Sequence, residues 1–491
     1  LAALVIISLN FFYAGYDGRI LMSDSLAGKR VLILGFGRQG KALARWLPTL
    51  GAEVTVSDKR DAGAMADDLL DFLGEPVAFA LGGHPLELLA ETDVVCVSGG
   101  VPIDLPIVQA ALQAHLPVTN DAILFLERCP ALVIGITGSA GKTTTTTLVG
   151  EMCKAEGRTT WVGGNIGNVL LEDLADIGRE DTVVMELSSF QLEISPLSPD
   201  VAAILNVTPN HLDRHGTLQR YAEAKAQIML HQAGDDLAVF GADDLIAHSL
   251  SARAPARSAF FSLRQMVADG AFLLGDRLMV SGACSPTGTP KVVCDRADIR
   301  LRGEHNVLNI LAACALAGAV GVNLEAMQAT IRNFRGVAHR LEWVTEQGGV
   351  AWFNDSIATA PERVIAALRS FDEPLVLLLG GRDKKLPWGE LASMAVERCR
   401  AVITFGEHGE AIAETMKRAK SAAGGRGLLS QVVRVQTLDE AVDAAHKVAR
   451  AGDVVLLSPG CTSYDAYEDF AERGEHFRVL VKALRPRSTA S

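Results

Sequence analysis

At 491 residues the chain exceeds one ordinary domain, and about three domains is the natural expectation. With 49% hydrophobic and 21% charged residues it is a normal globular mix with ample material for cores. A net charge of −12 argues against a nucleic-acid partner, which would need a basic face, and leaves room only for a local basic pocket.

The first stretch, residues 1–22, is mostly apolar but is broken by Ser8, Asn10 and Gly15 and lacks the basic start of a signal peptide. It reads as an extension, disordered or outside the native product, with no stable membrane anchor; weak membrane association is the alternative. From Lys29 onward, strand-like apolar runs alternate with helical periods. The fold class is therefore α/β, in three domains built on parallel sheets, at 23–129, 130–335 and 336–491.

In the first domain, the strand Arg30-Val31-Leu32-Ile33-Leu34 leads into Gly35-Phe36-Gly37-Arg38-Gln39-Gly40. A second strand ends in Asp58, and a third runs into Ser98-Gly99-Gly100. A G-x-G-x-x-G turn with an acid about twenty residues on is the Rossmann-like dinucleotide fingerprint, but any nucleotide diphosphate satisfies the same donors.

The second domain opens with an apolar strand, then Thr137-Gly138-Ser139-Ala140-Gly141-Lys142-Thr143-Thr144, then a helical pattern. This shortened P-loop turns backbone N–H groups and a helix start toward a phosphate. Lys142 can reach the β/γ-phosphates, and the Thr143 hydroxyl can hold Mg2+. Glu186 ends the strand Thr182-Val183-Val184-Met185-Glu186 and can hold the same ion. His211 follows the next strand, at the carboxyl end of the same sheet. Lys225, in the helical stretch Leu218 to Leu230, reads by itself as a solvated lysine, and Asn165 reads as a turn. Glycines and Pro286 break Phe260 to Val293 into short runs, which suggests a small antiparallel addition.

The third domain has strands at Val350 to Phe353, Leu375 to Leu379, Ala401 to Phe405, Val432 to Val435 and Val454 to Leu457. Their polar and glycine-rich ends are candidate ligand contacts. The basic tail from Arg478 is expected to fray. The eight scattered cysteines contain no C-x-x-C pair and suggest neither zinc nor disulfides; Cys96 and Cys314 read as core thiols of a reducing compartment.

Taken in order, G-I-T-G-S-A-G-K-T-T-T-T, G-G-N-I-G-N, M-E-L-S-S-F-Q-L, L-N-V-T-P-N-H-L-D-R-H, Y-A-E-A-K, G-E-H-N-V-L-N, H-R-L-E, N-D-S-I-A-T and S-P-G-C-T-S-Y-D resemble the Mur ligase family, from about Ser23 to the end. The resemblance implies an ATP-dependent amide ligase adding glutamate to UDP-N-acetylmuramoyl-L-alanine, through an acyl phosphate, in peptidoglycan and cell-wall biogenesis, and so in cell shape and division. It implies a cytoplasmic, monomeric enzyme.

It also assigns roles residue by residue. Gly37, Arg38, Gln39, Asp58 and Ser98 would bind the UDP moiety, with Asn165 and His211 on the rest of that substrate. Gly138, Ser139, Ala140, Gly141, Lys142, Thr143 and Thr144, with Asn309, Arg340 and Asp355, would bind ATP. Thr143, Glu186, His211 and a carbamylated Lys225 would hold two Mg2+ ions, Lys142, Glu186, His211 and Lys225 forming the catalytic set. Thr359, Lys384 and Ser463 would grip glutamate, with Phe470 packed nearby. One departure is Ile357, where relatives commonly carry lysine.

Three alternatives stay open. The first-domain fingerprint alone allows an oxidoreductase, which NAD(P)H binding would reveal. A non-catalytic nucleotide-binding module would show no ATP turnover. Within ligases, L-glutamate use or a folylpolyglutamate-type activity are the rivals.

Overall fold

The computed structural model describes residues 24–384 and 386–484, so the expectation for residues 1–22 lies outside the described residues. The chain forms two compact units, parted between Asp121 and Ala122.

The smaller unit is a five-stranded parallel sheet in the order β3-β2-β1-β4-β5. Its strands are β1 (Arg30–Leu34), β2 (Glu53–Asp58), β3 (Val77–Leu81), β4 (Val94–Val97) and β5 (Val118–Thr119). Apolar runs on β1 and β4 are buried, as a central parallel strand requires. Strand β3 escaped the sequence reading because it is an edge strand with no fully buried residue. The order places β1 and β4 side by side where the winding reverses, and the glycine turn follows β1 at that point.

The larger unit holds two sheets. The first has nine strands: β6 (Leu132–Thr137), β7 (Thr160–Gly164), β8 (Thr182–Glu186), β9 (Val201–Ile204), β10 (Leu237–Gly241), β11 (Arg257–Ser262), β12 (Gly270–Leu274), β13 (Arg277–Gly282) and β14 (Gly288–Asp295). They lie in the order β14-β13-β12-β11-β10-β9-β6-β8-β7. Strands β7 through β11, with β6, pair parallel; the antiparallel β12-β13-β14 hairpins extend that sheet from β11. Helices Lys142–Ala155 and Glu304–Ala319 cover it, and the second is buried nearly all round, which fits its Ala/Leu composition.

The other sheet has β15 (Glu342–Gln347), β16 (Val350–Asn354), β17 (Leu375–Gly380), β18 (Cys399–Phe405), β19 (Gln431–Arg434) and β20 (Val454–Gly460). Their order is β15-β16-β20-β17-β18-β19, parallel except for the β15-β16 hairpin. Two apolar clusters fill its two faces. The expectation of a fraying tail from Arg478 is corrected. Helix Phe470–Ala483 runs through it, Val481 is fully buried, and Arg478 pairs with Glu342 at 3.0 Å. The residues beyond 484 lie outside the described residues. Cys96 and Cys314 are buried thiols, as read.

Candidate functional site

In the smaller unit, the glycine turn is shaped by Asp58. Its carboxylate accepts the Phe36 N–H at 2.8 Å and the Arg60 side chain at 3.1 Å. Burial alone would raise the acid, but the hydrogen bonds from Arg60 and Phe36 bring it down to about 2. Ser98 Oγ donates to the Gly35 carbonyl at 2.9 Å. Gly37 caps helix Arg38–Thr49, and a Cβ on Gly40 would strike the Gly35 carbonyl, so the helix can approach the turn only through glycine. Gln39 spans the mouth, accepting the Gly99 N–H at 3.0 Å and donating to Asp121 at 3.2 Å. The geometry leaves a glycine turn and the first turn of a helix, led by Arg38, facing the switch point.

In the larger unit, the P-loop joins β6 to helix Lys142–Ala155. Gly141 has φ 84°, and a Cβ there would collide with the Asn309 side-chain oxygen. Sequence reading passed over the brace on the loop's other side. Asn206 pairs with the Ala140 peptide through both side-chain atoms, at 2.9 and 3.1 Å, and Ser139 exchanges hydrogen bonds with Thr208 at 2.9 Å. The strand-end asparagine in Asn206-Val207-Thr208 was the available signal.

Around the loop, Thr143 Oγ1 donates to Glu186 at 2.8 Å, and Asn165 Nδ2 donates to the other Glu186 oxygen at 2.9 Å. Lys142 Nζ folds onto the Gly138 carbonyl at 2.8 Å. Lys225 Nζ reaches the same carbonyl at 2.9 Å and lies 4.5 Å from the centroid of the Tyr221 ring. Lys225 is therefore not the solvated helix lysine that its sequence neighbourhood suggests: it is only 1% exposed. Burial holds it well below the usual lysine range, the Lys142 charge pushes it the same way, and Glu186 opposes. Lys142 is also lowered, chiefly by burial, with Glu186 opposing and Arg340 adding to the shift.

His211 takes a left-handed backbone, φ 52°, and sets its ring edge-on to Phe190 at 5.2 Å. His215, four residues on, is buried; it stacks on Phe190 and meets Ser189 Oγ at 3.0 Å. Among the described residues, no group of three or more His, Cys, Asp or Glu gathers in metal-binding range. Any metal at Glu186 would therefore draw its other ligands from Thr143, from a modified Lys225, or from substrate.

A cleft of about 1140 Å³ opens in front of the P-loop, lined by Ser139, Ala140, Gly141, Thr144 and Asn309 on one side and by Arg340, Asp355, Ile357 and Arg363 on the other. Asp355 accepts Ser458 Oγ at 2.7 Å and the Leu341 N–H at 3.2 Å. Its burial outweighs these bonds and the Arg340 charge, and pushes it up to about 7. Arg340 sits between His339 (φ 63°) and Leu341 (φ 44°), two non-glycine residues in the left-handed region, so the backbone is strained where it enters the cleft.

The carboxyl ends of β16, β17 and β20 carry the remaining candidates. Lys384 Nζ donates to Thr359 Oγ1 at 3.1 Å. Backbone bonds between Arg382 and Thr462, at 2.9 and 3.1 Å, tie the turn before Lys384 to the turn before Ser463. Ser463 is buried, and its carbonyl accepts the Ala466 and Tyr467 N–H groups. Phe470 stands with its ring 6.2 Å from His339, and its carbonyl accepts Ser356 Oγ at 2.7 Å.

Arg473 was missed altogether. It is fully buried and bonds Ser356 Oγ at 3.0 Å, the Ser356 carbonyl at 2.9 Å and the Cys461 carbonyl at 3.3 Å. Nothing in its sequence neighbourhood distinguishes it from a surface arginine.

Comparison with known proteins settles the family. The Mur ligase MurD-like N-terminal domain matches residues 29–120, the Mur ligase middle domain 136–317, and the Mur ligase glutamate ligase domain 339–461. Proteins named UDP-N-acetylmuramoylalanine–D-glutamate ligase are similar over nearly the whole chain. The one from Pelotomaculum thermopropionicum is 40% identical, covering 94% of this chain and 100% of the relative. The one from Symbiobacterium thermophilum is 40% identical over 93% and 98%. The chain belongs to the Mur ligase family. Among solved structures, the UDP-N-acetylmuramate-alanine ligase MurC from Thermotoga maritima aligns with TM-score 0.54 at 21% identity, over 93% of this chain and 99% of that one, a likeness of fold. In this Mur ligase, then, the P-loop cleft and the turns of the third sheet share one compact unit.

Proposed function

We propose that this Mur ligase joins D-glutamate to UDP-N-acetylmuramoyl-L-alanine, using ATP and giving ADP and phosphate, in peptidoglycan biosynthesis. The observation that carries the reading is 40% identity, over 94% of the chain, to relatives named for that activity. In this reading residues 23–129 bind the UDP end, 130–335 bind ATP, and 336–491 bind glutamate. No helix among the described residues is long and apolar enough to cross a membrane. A monomer at work in the cytoplasm is part of the same reading and rests on the family resemblance.

The chemistry follows from the site. The alanyl carboxylate attacks the γ-phosphorus, the bond to the β-phosphate oxygen breaks, and ADP leaves an acyl phosphate. Catalysis of such a step is positioning and charge neutralisation, and Lys142 and the loop N–H groups supply both. The glutamate amine then attacks the acyl carbon, loses a proton and expels phosphate. Water would destroy the acyl phosphate, so the turns bearing Thr359, Lys384 and Ser463 must close on the P-loop during turnover. Lys384 and Thr359 hold one carboxylate of glutamate, Ser463 the other, and Phe470 walls the site.

The oxygen donors of Thr143 and Glu186 fit Mg2+, which prefers oxygen ligands and phosphates. Mg2+ when bound supplies neutralisation of the phosphate oxygens. A lysine amine cannot join this set. Burial favours the neutral amine of Lys225, which could add CO2 and release a proton, and the oxygens of the resulting carbamate would then join Glu186 and Thr143 as metal ligands, with His211 as the remaining candidate. Arg38, Gln39, Asp58 and Ser98 form the UDP pocket with Gly37, while Asn165 orients Glu186 toward the muramoyl end.

Phosphate release with ATP, UDP-N-acetylmuramoyl-L-alanine and either glutamate enantiomer tests the reading. It predicts release and a product heavier by one glutamyl residue with D-glutamate. Release with L-glutamate alone would change the stereochemistry, and release with neither would overturn the activity.

A further inference from the structure

We propose that Arg363 is a further phosphate-binding residue, working with Arg340 across the cleft from the P-loop. The inference rests on the ATP site described above and names a residue that neither the motifs nor the family roles assign. Three observations carry it.

First, Arg363 opens helix Pro361–Leu368 and lines the same cleft as Ser139 to Gly141 and Arg340. Second, the nearby carboxylates Glu186 and Asp355 act on Arg340 only through space. Neither Arg340 nor Arg363 forms an ion pair with a carboxylate among the described residues. The hydrogen bond recorded for Arg363 is to the Ile357 carbonyl, at 3.4 Å and so weak. Asp355, an acid that lines the cleft, is committed to Ser458 Oγ and the Leu341 N–H. Third, the two arginines feel each other: Arg363 adds to the effect of burial in lowering Arg340, against Glu186 and Asp355. Two like charges lining one cavity, one of them half-buried, repel each other, and an anion bound between them relieves that repulsion. The opposite wall of that cavity is a loop built to present N–H groups to phosphate.

Ile357 faces the same cleft and supplies no charge. A lysine placed there would bring a cation to the region that Arg363 serves, so the two positions should substitute for one another.

The test uses the full chain and measures binding of Mg2+ with a non-hydrolysable ATP analogue, alongside steady-state KM values. Arg363→Ala should weaken analogue binding and raise the KM for ATP about tenfold, with the KM values for both other substrates within about twofold of wild type. Arg363→Lys should fall between. Adding Ile357→Lys to Arg363→Ala should recover most of the lost affinity. The melting temperature should hardly move, because Arg363 is exposed. Analogue binding by Arg363→Ala within twofold of wild type would overturn the proposal. So would weakened binding of all three substrates together with a lowered melting temperature and no rescue by Ile357→Lys. Failure of the wild-type protein itself to bind the analogue would instead refute the ATP-site reading, which keeps the two failures apart.

Discussion

Two cations are buried at the carboxyl ends of the two sheets of the larger unit, and they are held alike but suited to opposite ends. Lys225 bonds to one backbone carbonyl and one hydroxyl, and Arg473 to backbone carbonyls and one hydroxyl; among the described residues neither has a carboxylate in direct contact. Burial lowers both. For Lys225 the shift runs toward the neutral amine that carbamate formation needs, whereas an arginine lowered to about 10 stays charged at neutral pH. The same low-dielectric surroundings thus favour the neutral form of one residue and leave the other a fixed positive strut. Arg473 links the ends of β16 and β20, from which Thr359 and Ser463 are hung, and its charge lies behind the turns that would take a dicarboxylate.

The largest break in this arrangement should come from a third cation, Lys142, which shares the Gly138 carbonyl with Lys225. Lys142→Ala should abolish nearly all ligation, by about a thousandfold or more, while UDP binding by the smaller unit persists. Phosphate release and UDP titration read both, and near-normal turnover would show that the P-loop lysine is not the phosphoryl contact.

Lys225 comes next. Lys225→Ala should lose about a hundredfold or more and recover partly with added acetate or formate, which return an anion. Lys225→Arg should stay inactive and unrescued, because a guanidinium keeps its charge and fills the space. Full activity of Lys225→Ala without any additive would reduce Lys225 to a packing residue.

Arg473→Met should cost about 2–4 kcal/mol of stability, since it strands the Ser356 and Cys461 acceptors in the interior. It should also raise the glutamate KM about tenfold more than the ATP KM. Arg473→Lys should restore part of the glutamate affinity. Equal changes in every KM would make the strut merely structural.

The remaining effect is a gradual pH slope. Asp355 is raised from its ordinary 3.8 to about 7 by burial, so between those values the folded protein binds the extra proton. Stability from this group is therefore full below about pH 4 and is lost as pH rises through about 7, by up to about 4 kcal/mol. Denaturant titrations of wild type and Asp355→Asn between pH 5 and 8 should differ in slope by this contribution. Parallel curves would mean that Asp355 ionises normally.

How much of this was legible in the sequence depended on range. Continuous apolar runs gave β6, β8, β17 and β20, because a central parallel strand is buried on both faces. Edge strands such as β3 and β15 mix exposed and half-buried residues and carry no comparable signal. The P-loop and Glu186 lie at strand ends and could be read there, whereas Thr359 and Lys384, 3.1 Å apart, came from the family resemblance. Lys225 and Arg473 were not findable from local sequence, because each sits on a helix whose pattern accommodates an exposed cation. What buries them is a loop about ninety residues away in one case and turns of two other strands in the other. Asn206, which braces the P-loop, is intermediate: its place at a strand end was visible, but its partner was not.

The central proposal is that Lys225 is carbamylated in this interior, a cation replaced by an anion. The most direct measurement is a carbon-13 NMR spectrum of the protein equilibrated with carbon-13 bicarbonate near neutral pH. The account predicts one protein-bound carbamate signal that disappears in Lys225→Met and persists in Arg473→Met. No carbamate signal at saturating bicarbonate, or a signal that survives in Lys225→Met, would contradict it.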